Sequence, residues 1–309
     1  MLVISENMFK FPREQKTWDL CGVEIGGQPG VLPTVMIGSI FYEGSPLVKD
    51  ERKGEFDKER AREVLEKEEE ISQSTGNPRI TDIVGSTSEA LIRYIDFVSE
   101  ETNSPFSIDG AVTDARIPAT KHVGEVGLAD RAIYNSISVK CKEEEIEAIK
   151  EAGVESAILL CYNPTRPTID GRLESLKKIL GLAEEAEIKK PLVDPCILDL
   201  PDPGPVSKTI YRIKEDYGLP TGCGAHNAVD QWDQRKKMAS RTYALSAAVA
   251  NVFPIMMGAD FALYGPIEKA EDMYTACSLA DAYVAYSMKA DEGMGPESKN
   301  HPLYKIFRP

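Results

Sequence analysis

From residue 34 to residue 266 short apolar runs alternate with longer stretches of helical period, and this alternation leaves few folds open to the chain. The runs are "TVMIGSIFY" (34–42), "ITDIVG" (80–85), "FSIDG" (106–110), "RAIYNSI" (131–137), "SAILLCYN" (156–163), "PLVD" (191–194), "GLPTGCGAHN" (218–227) and "ADFALYGP" (259–266). Helical stretches lie between them, among them "DKERAREVLEKEEEISQST" (57–75), "TSEALIRYIDFVSEET" (87–102) and "KEEEIEAIKEAG" (142–153). In the second, Leu91, Ile95 and Val98 recur at helical spacing behind a Thr87-Ser88-Glu89 start, and Gly76 and Gly153 stand where helix C-caps belong. Parallel strands need a long crossover between them, and a helix supplies it. Eight strand candidates alternating with eight helix candidates therefore predict an α/β fold, a (β/α)8 TIM barrel. The competing doubly wound sheet usually carries a glycine-rich turn after its first strand, whereas "GGQPG" (26–30) precedes that strand. Residues 16–31 predict an N-terminal β-hairpin capping the barrel floor. The tail after Asp291, rich in Pro and Gly, predicts a C-terminal extension over the surface or into a neighbouring subunit. We read residues 1–309 as a single barrel domain with its core at about 32–290.

Charge and cysteine usage remove several function classes. A formal charge of −14 argues against a phosphate backbone as partner, since nucleic-acid binders carry a basic patch or stripe. The acidic run around 59–70 reads as the solvated face of a helix. The longest apolar run, "YALSAAVANVFPIMM" (243–257), is shorter than a membrane span and contains Pro254. No basic leader precedes an apolar segment at the N-terminus, so the expected location is cytoplasmic. Cys21, Cys141, Cys161, Cys196, Cys223 and Cys277 form no C-x-x-C pair, and the three histidines show no metal-ligand spacing. Reduced thiols and no protein-bound metal are expected.

In a barrel of this kind the active site lies at the C-terminal ends of the strands. Those ends deliver a coherent set: Asp82 from the second strand, Asp109 from the third, Asn135 from the fourth, Asn163 from the fifth, Asp194 from the sixth and Asn227 from the seventh. No strand-end lysine offers a Schiff base, and no serine triad is present. Each position taken singly reads equally well as a helix cap. Ser86, Thr87 and Thr113 are placed to cap the second and third helices, which leaves Asp82 and Asp109 freer. Cys161 and Cys196 read as packing residues, Trp232 as packing and His226 as a hydrogen-bonded loop histidine, with acid–base catalysis as the other role open to His226. A carboxylate accepts two hydrogen bonds side by side, so it suits a planar edge with adjacent N–H and NH2 donors. An amide can donate to a ring oxygen and accept from a ring N–H. A reduced pterin displays this mixture, whereas a phosphate ester would call for backbone N–H groups or basic residues.

The segments "GGQPG", "IGSIFYEG", "KGEFDKE", "TGNP", "YIDFVSE", "GLADRAIYNSI", "GLPTGCGAHNA" and "GADFALYGPIE" resemble the H subunit family of tetrahydromethanopterin S-methyltransferase, over about residues 9–290. They resemble equally the bacterial homologues that methylate tetrahydrofolate in glycine betaine metabolism. The group belongs with the pterin-binding barrels. The resemblance implies methyl transfer between a corrinoid cobalt and N5 of a tetrahydropterin. It matches Asp109, Asn135 and Asp194 to pterin-holding acids and amide, and Asn227 to the amide near N5. "CILDLPDPGPVSKTIYR" (196–212) and "GAHNAVDQWDQRKK" (224–237) depart from the commoner archaeal form on the active rim, which favours tetrahydrofolate over tetrahydromethanopterin.

The implied corrinoid, as methylcobalamin, would arrive on a separate corrinoid protein, because the chain has no B12-binding D-x-H-x-x-G motif. The family also implies a homodimer. Two rivals remain. A dihydropteroate-synthase-like condensation would need a basic pocket for pyrophosphate, and "GCGAHN" lacks the expected Ser-Arg-Lys. A membrane methyltransferase complex offers the other, either as its catalytic subunit specific for tetrahydromethanopterin or as a non-enzymatic assembly subunit, and the latter predicts no activity when isolated.

Overall fold

The computed structural model describes residues 8–110, 112–199 and 201–307. An antiparallel hairpin of β1 (Thr17–Leu20) and β2 (Val23–Gly26) precedes the first barrel strand, β3 (Val35–Ile40). The loop after β3 contains a small antiparallel pair, β4 (Val48–Asp50) and β5 (Glu55–Phe56), and leads to α1 (Lys58–Thr75). The alternation then runs β6 (Arg79–Gly85), α2 (Ser88–Glu101), β7 (Phe106–Gly110), α3 (Thr113–Glu125), β8 (Ala132–Ser138) and α4 (Glu143–Ala152). It continues with β9 (Ser156–Leu160), α5 (Ile169–Glu185), β10 (Lys190–Asp194), α6 (Pro203–Tyr217) and β11 (Gly222–Cys223). Two helices, α7 (His226–Asp230) and α8 (Ser240–Met256), separate β11 from β12 (Phe261–Pro266). The long α9 (Ala270–Glu292) and the short α10 (Pro302–Lys305) end the chain.

The eight-stranded sheet runs β10-β9-β8-β7-β6-β3-β12-β11, with every neighbouring pair parallel. A parallel bridge between Val193 and Thr221 joins its two ends, so the sheet closes into the expected barrel. Successive side chains on a strand face opposite ways, and here one set fills the barrel. Val35, Ile37, Ile80, Ile133, Ile158, Leu192, Phe261 and Leu263 form one buried cluster with Leu20 and Ile25 of the hairpin. The hairpin therefore plugs the floor, held there by Trp18 Nε1 donating to the Pro191 carbonyl at 3.1 Å.

Helix ends follow local chemistry. Thr87 caps α2 through its hydroxyl, and Gly76 and Gly153 take the left-handed conformation after α1 and α4. Thr113 is a correction. It lies inside the first turn of α3, its hydroxyl donates to Glu145 at 3.2 Å, and Val112 occupies the cap without a side-chain bond. Ser86 likewise donates to the Glu51 carbonyl instead of capping. The C-terminal extension folds back on its own chain, where Leu303 packs against Ala282 and Ala285 of α9. Among the described residues no helix is long and apolar enough to cross a membrane.

Candidate functional site

Above the apolar barrel core the next inward-facing layer turns polar, because the same alternation brings up Ser39, Asp82, Ser107 and Asn135. The register sets Ser39 beside Asp82, Asp82 beside Ser107, and Asp109 beside Asn135. After Asn135 the pairing with β9 shifts by a bulge, and the Asn135–Ser136 peptide is cis. The polar break in "AIYNSIS" thus coincides with a break in the ladder, placed where the strand reaches the site.

Asp82 and Asp109 occupy different environments. Asp82 is buried; it accepts from Ser39 Oγ at 2.8 Å, from Ser107 Oγ and from Asn135 Nδ2 at 3.3 Å. Burial raises its pKa, and those three bonds together with the charge of His226 oppose the rise. The expectation that Asp82 is free is therefore overturned: two strand hydroxyls and an amide hold it as an internal hub. Asp109 is half-buried and has no hydrogen-bond partner among the described residues. Burial, and then the charge of Asp82, push its pKa well above the usual carboxylate range, while Arg116 pulls the other way. A desolvated carboxyl without a donor is an unmet demand for one.

Asp194 closes the far side of the layer. Its Oδ1 accepts from the Cys196 N–H at 2.7 Å, and the Gly224 N–H also donates to the carboxyl. Burial lifts its pKa to about 6 against these bonds and the nearby Arg172. Cys196 makes that contact from a left-handed backbone, φ +65°. Cys161, Cys196 and Cys223 are buried around Asp194, and burial drives all three thiols upward, so they stay neutral packing groups.

The remaining candidates divide. Asn227 lies in the first turn of α7 and donates from Nδ2 to the Ile197 carbonyl at 3.3 Å, which leaves its amide oxygen without a partner among the described residues. His226 directs Nδ1 at the Leu263 carbonyl, 3.0 Å away, which requires the proton on Nδ1. Gly265, at φ +91°, is the residue that lets this ring in: a Cβ there would come within 2.8 Å of His226 Cγ. Asn163 does not share the layer's geometry. Its oxygen accepts from Thr165 and Arg166 and its Nδ2 donates to Gly171, so the side chain closes its own loop. Leu160, paired with Asp194 and partly exposed, is what β9 contributes to the inner face at that level.

Sequence reading missed Ser39 and Ser107, whose only signal was a hydroxyl two residues above an inward-facing apolar position or two below an acid. It also missed Arg116 and Arg172, whose guanidinium groups donate to strand-end carbonyls beside the acids. Among the described residues no cluster of three or more His, Cys, Asp or Glu side chains is arranged to hold a metal ion.

The layer therefore offers carboxylates and amides along one wall, apolar Leu160 and Leu263 on others, and no cation bonded to Asp82, Asp109 or Asp194 among the described residues. Comparison with known proteins gives a consistent picture. The family model for the tetrahydromethanopterin S-methyltransferase MtrH subunit matches residues 13–297. The corresponding H subunit of that enzyme from Methanothermobacter thermautotrophicus is 39% identical over 312 residues, covering 97% of this chain and all of the relative. That from Methanopyrus kandleri is 37% identical, covering 96% and 98%. A dihydropteroate synthase from Xanthomonas albilineans superposes with a TM-score of 0.63 at 17% identity, over 87% of this chain and 98% of that one, and so shares the fold.

Proposed function

The chain belongs to the family of the H subunit of tetrahydromethanopterin S-methyltransferase, a methyltransferase family, and from that membership we propose that it moves a methyl group between a corrinoid cobalt and N5 of a tetrahydropterin. The observation that carries the reading is Asp109: a desolvated carboxyl with no donor of its own among the described residues, beside the amide of Asn135 at a barrel mouth. The 2-amino and N3–H groups of a pterin supply the two donors such a carboxylate lacks. Asp194 accepts from the pterin across the layer, and Asn135, tied to Asp82, presents its oxygen to a ring N–H.

Little covalent chemistry falls to side chains. A methyl-corrinoid, as co-substrate on its own protein, would supply the methyl group to the N5 lone pair and keep the electron pair of the bond it gives up, and the proton on N5 would then pass to solvent. The chain's task is to align N5 with the methyl group and exclude water. Asn227 acts at N5, where its unpartnered oxygen can receive the N5 proton's hydrogen bond as the nitrogen becomes positive. The corrinoid comes on a separate protein, since the chain shows no corrinoid-binding motif. Binding is expected to need no protein-bound metal, and an anaerobic titration of tetrahydropterin with and without chelator checks that.

For the pterin itself we propose tetrahydrofolate, on the departures at 196–212 and 224–237, which flank the strand ends of the mouth. The substrate for which the relatives are named favours tetrahydromethanopterin as the second reading. The purified chain assayed with methylcobalamin and each pterin decides between them. No methyl transfer to either would mean an assembly role. The working location is the cytoplasm, in keeping with free thiols.

The unit is a homodimer in this proposal, and α8 supports it. No charged residue occurs from 242 to 257, yet Leu245, Val249 and Phe253, four residues apart, are 60%, 70% and 43% exposed. A helix apolar all round is normally covered, and a second copy of this face covers it symmetrically. Val249→Asp should convert the dimer to monomer in light scattering; an unchanged mass would remove α8 from the interface.

A further inference from the structure

Two arginines, Arg116 partly buried and Arg172 fully buried, each clamp the carbonyl that follows one of the acids of the mouth. Arg116, from the first turns of α3, donates from Nη1 to the Gly110 carbonyl at 2.7 Å, one residue past Asp109. Its Nε donates to Tyr134 Oη at 3.0 Å and its Nη2 to Glu145 at 2.7 Å, and Tyr134 itself donates to Glu145 at 2.5 Å. The guanidinium also sits over the Tyr134 ring, 5.6 Å from its centroid. Gly110 is moulded to this group, since a Cβ there would lie 2.6 Å from Arg116 Cγ. Arg172 of α5 repeats the device. Fully buried, it donates from Nε to the Pro195 carbonyl at 2.8 Å, one residue past Asp194, and also to the carbonyls of Pro167 and Cys196.

We propose that Arg116 and Arg172 are positioning residues for the pterin acids, each fixing the backbone next to one aspartate while lending it a cation that never contacts the ligand. An arginine suits the task because its planar fork serves several acceptors at once without losing its charge. Neither carboxyl is bonded to its arginine, so both remain open to a ligand, yet each feels the positive charge. The titratable groups facing Asp109 are Asp82 on β6 and Arg116 on α3, with His226 of α7 acting in turn on Asp82. Asp82 discourages ionisation of Asp109 and Arg116 favours it, so Arg116 keeps an acceptor available to the pterin's donors.

The inference rests on the pterin reading, and a double-mutant cycle on the full chain separates the two. Tetrahydrofolate and tetrahydromethanopterin binding is measured by anaerobic calorimetry for the wild type, Arg116→Gln, Asp109→Asn and the double variant. If Arg116 acts through Asp109, each single change weakens binding about tenfold and the double is no weaker than Asp109→Asn within about threefold. Penalties that multiply to about a hundredfold overturn the proposal, because they show Arg116 acting independently of the acid. The pH profile gives a second readout. Arg116→Gln should move the acid limb of binding upward by about one pH unit, whereas Arg116→Lys, which keeps the charge but lacks the planar fork that spans Gly110, Tyr134 and Glu145, should weaken binding and leave the limb in place. A limb unmoved in Arg116→Gln overturns the electrostatic half. Should Arg116→Gln not fold, Tyr134→Phe removes one acceptor of the guanidinium and should cost about two- to threefold through Asp109 alone, tested in the same cycle. Wild-type chain that binds neither pterin overturns the reading on which this one stands.

Discussion

At the barrel floor Lys214 and Asp260 are both buried, and each meets the other's needs. Lys214 Nζ donates to the two Asp260 oxygens at 2.7 and 2.8 Å and to the Gly27 carbonyl at 2.9 Å, while Asp260 also accepts from the Thr221 N–H at 2.8 Å. Burial pulls the ammonium down and the carboxyl up, and their mutual attraction opposes both shifts. At the mouth Asp82, Asp109 and Asp194 are also desolvated, but no cation among the described residues touches them, and Asp109 lacks even a hydrogen bond there. The floor is electrostatically closed and joins α6 to the sheet. At the mouth Asp109 is the acid left incomplete among the described residues, and in the proposed function a ligand with paired donors completes it.

The largest expected effect tests the closed end. Lys214→Met strands the Asp260 carboxylate and should cost about 3–5 kcal/mol in denaturant unfolding, with pterin affinity unchanged wherever the chain still folds. A loss below about 1 kcal/mol would mean that the floor pair is not the closed unit described.

At the mouth the effects should appear in function. Asn227→Ala should lower kcat with methylcobalamin about ten- to a thousandfold while pterin affinity falls much less, as Asp109, Asn135 and Asp194 still hold the ring. Collapse of affinity with kcat intact would reassign the N5 role, with His226 next. Asp194→Ala should weaken pterin binding by roughly tenfold or more, from a charge-assisted bond of about 1.5–3 kcal/mol. Asp199→Ala, in the loop beyond, should do much less, and equal losses would remove Asp194 from the site.

Proton linkage offers a further contrast. Asp194 has its pKa raised from the ordinary 3.8 to about 6, chiefly by burial. The folded state therefore holds this proton more tightly than the unfolded one, so the contribution to stability is full below about pH 4 and is lost as pH rises through about 6. Asp194→Asn should flatten the stability–pH curve across that window. A slope unchanged by the substitution would show that Asp194 ionises normally. The smallest effect belongs to Asp109→Asn, which relieves a desolvated charge and should leave stability equal or up to about 1 kcal/mol higher, read from the unfolding midpoint. A clear loss of stability there would show Asp109 to be structural and erase the contrast between floor and mouth.

Much of this architecture could be read from residues. Strand and helix periods, the Thr87 cap, the glycines at 76 and 153 and the hairpin at 16–31 are short-range matters, decided by sterics and hydrogen bonds within a few residues. Strand ends carrying Asp109, Asn135 and Asp194 were visible for the same reason, since alternation alone tells which side chains share a face with the core. What alternation cannot supply is the stagger between neighbouring strands. Only the closed barrel sets Ser39 and Ser107 on either side of Asp82 and so occupies that acid, while Asp109, two residues beyond Ser107, is left without a donor among the described residues. Asn163 turns back on its own loop through bonds two to eight residues away, a local matter, and the pairing of Leu160 with Asp194 brings Leu160 to the inner face in its stead. The arginine clamps were equally invisible: an arginine in a helix looks solvent-bound until the packing of that helix against the sheet places its guanidinium under a strand-end carbonyl. Which polar groups exist near the site was a property of the chain; which of them remain unsatisfied depends on neighbours far apart in sequence, and that depends on strand register and helix packing.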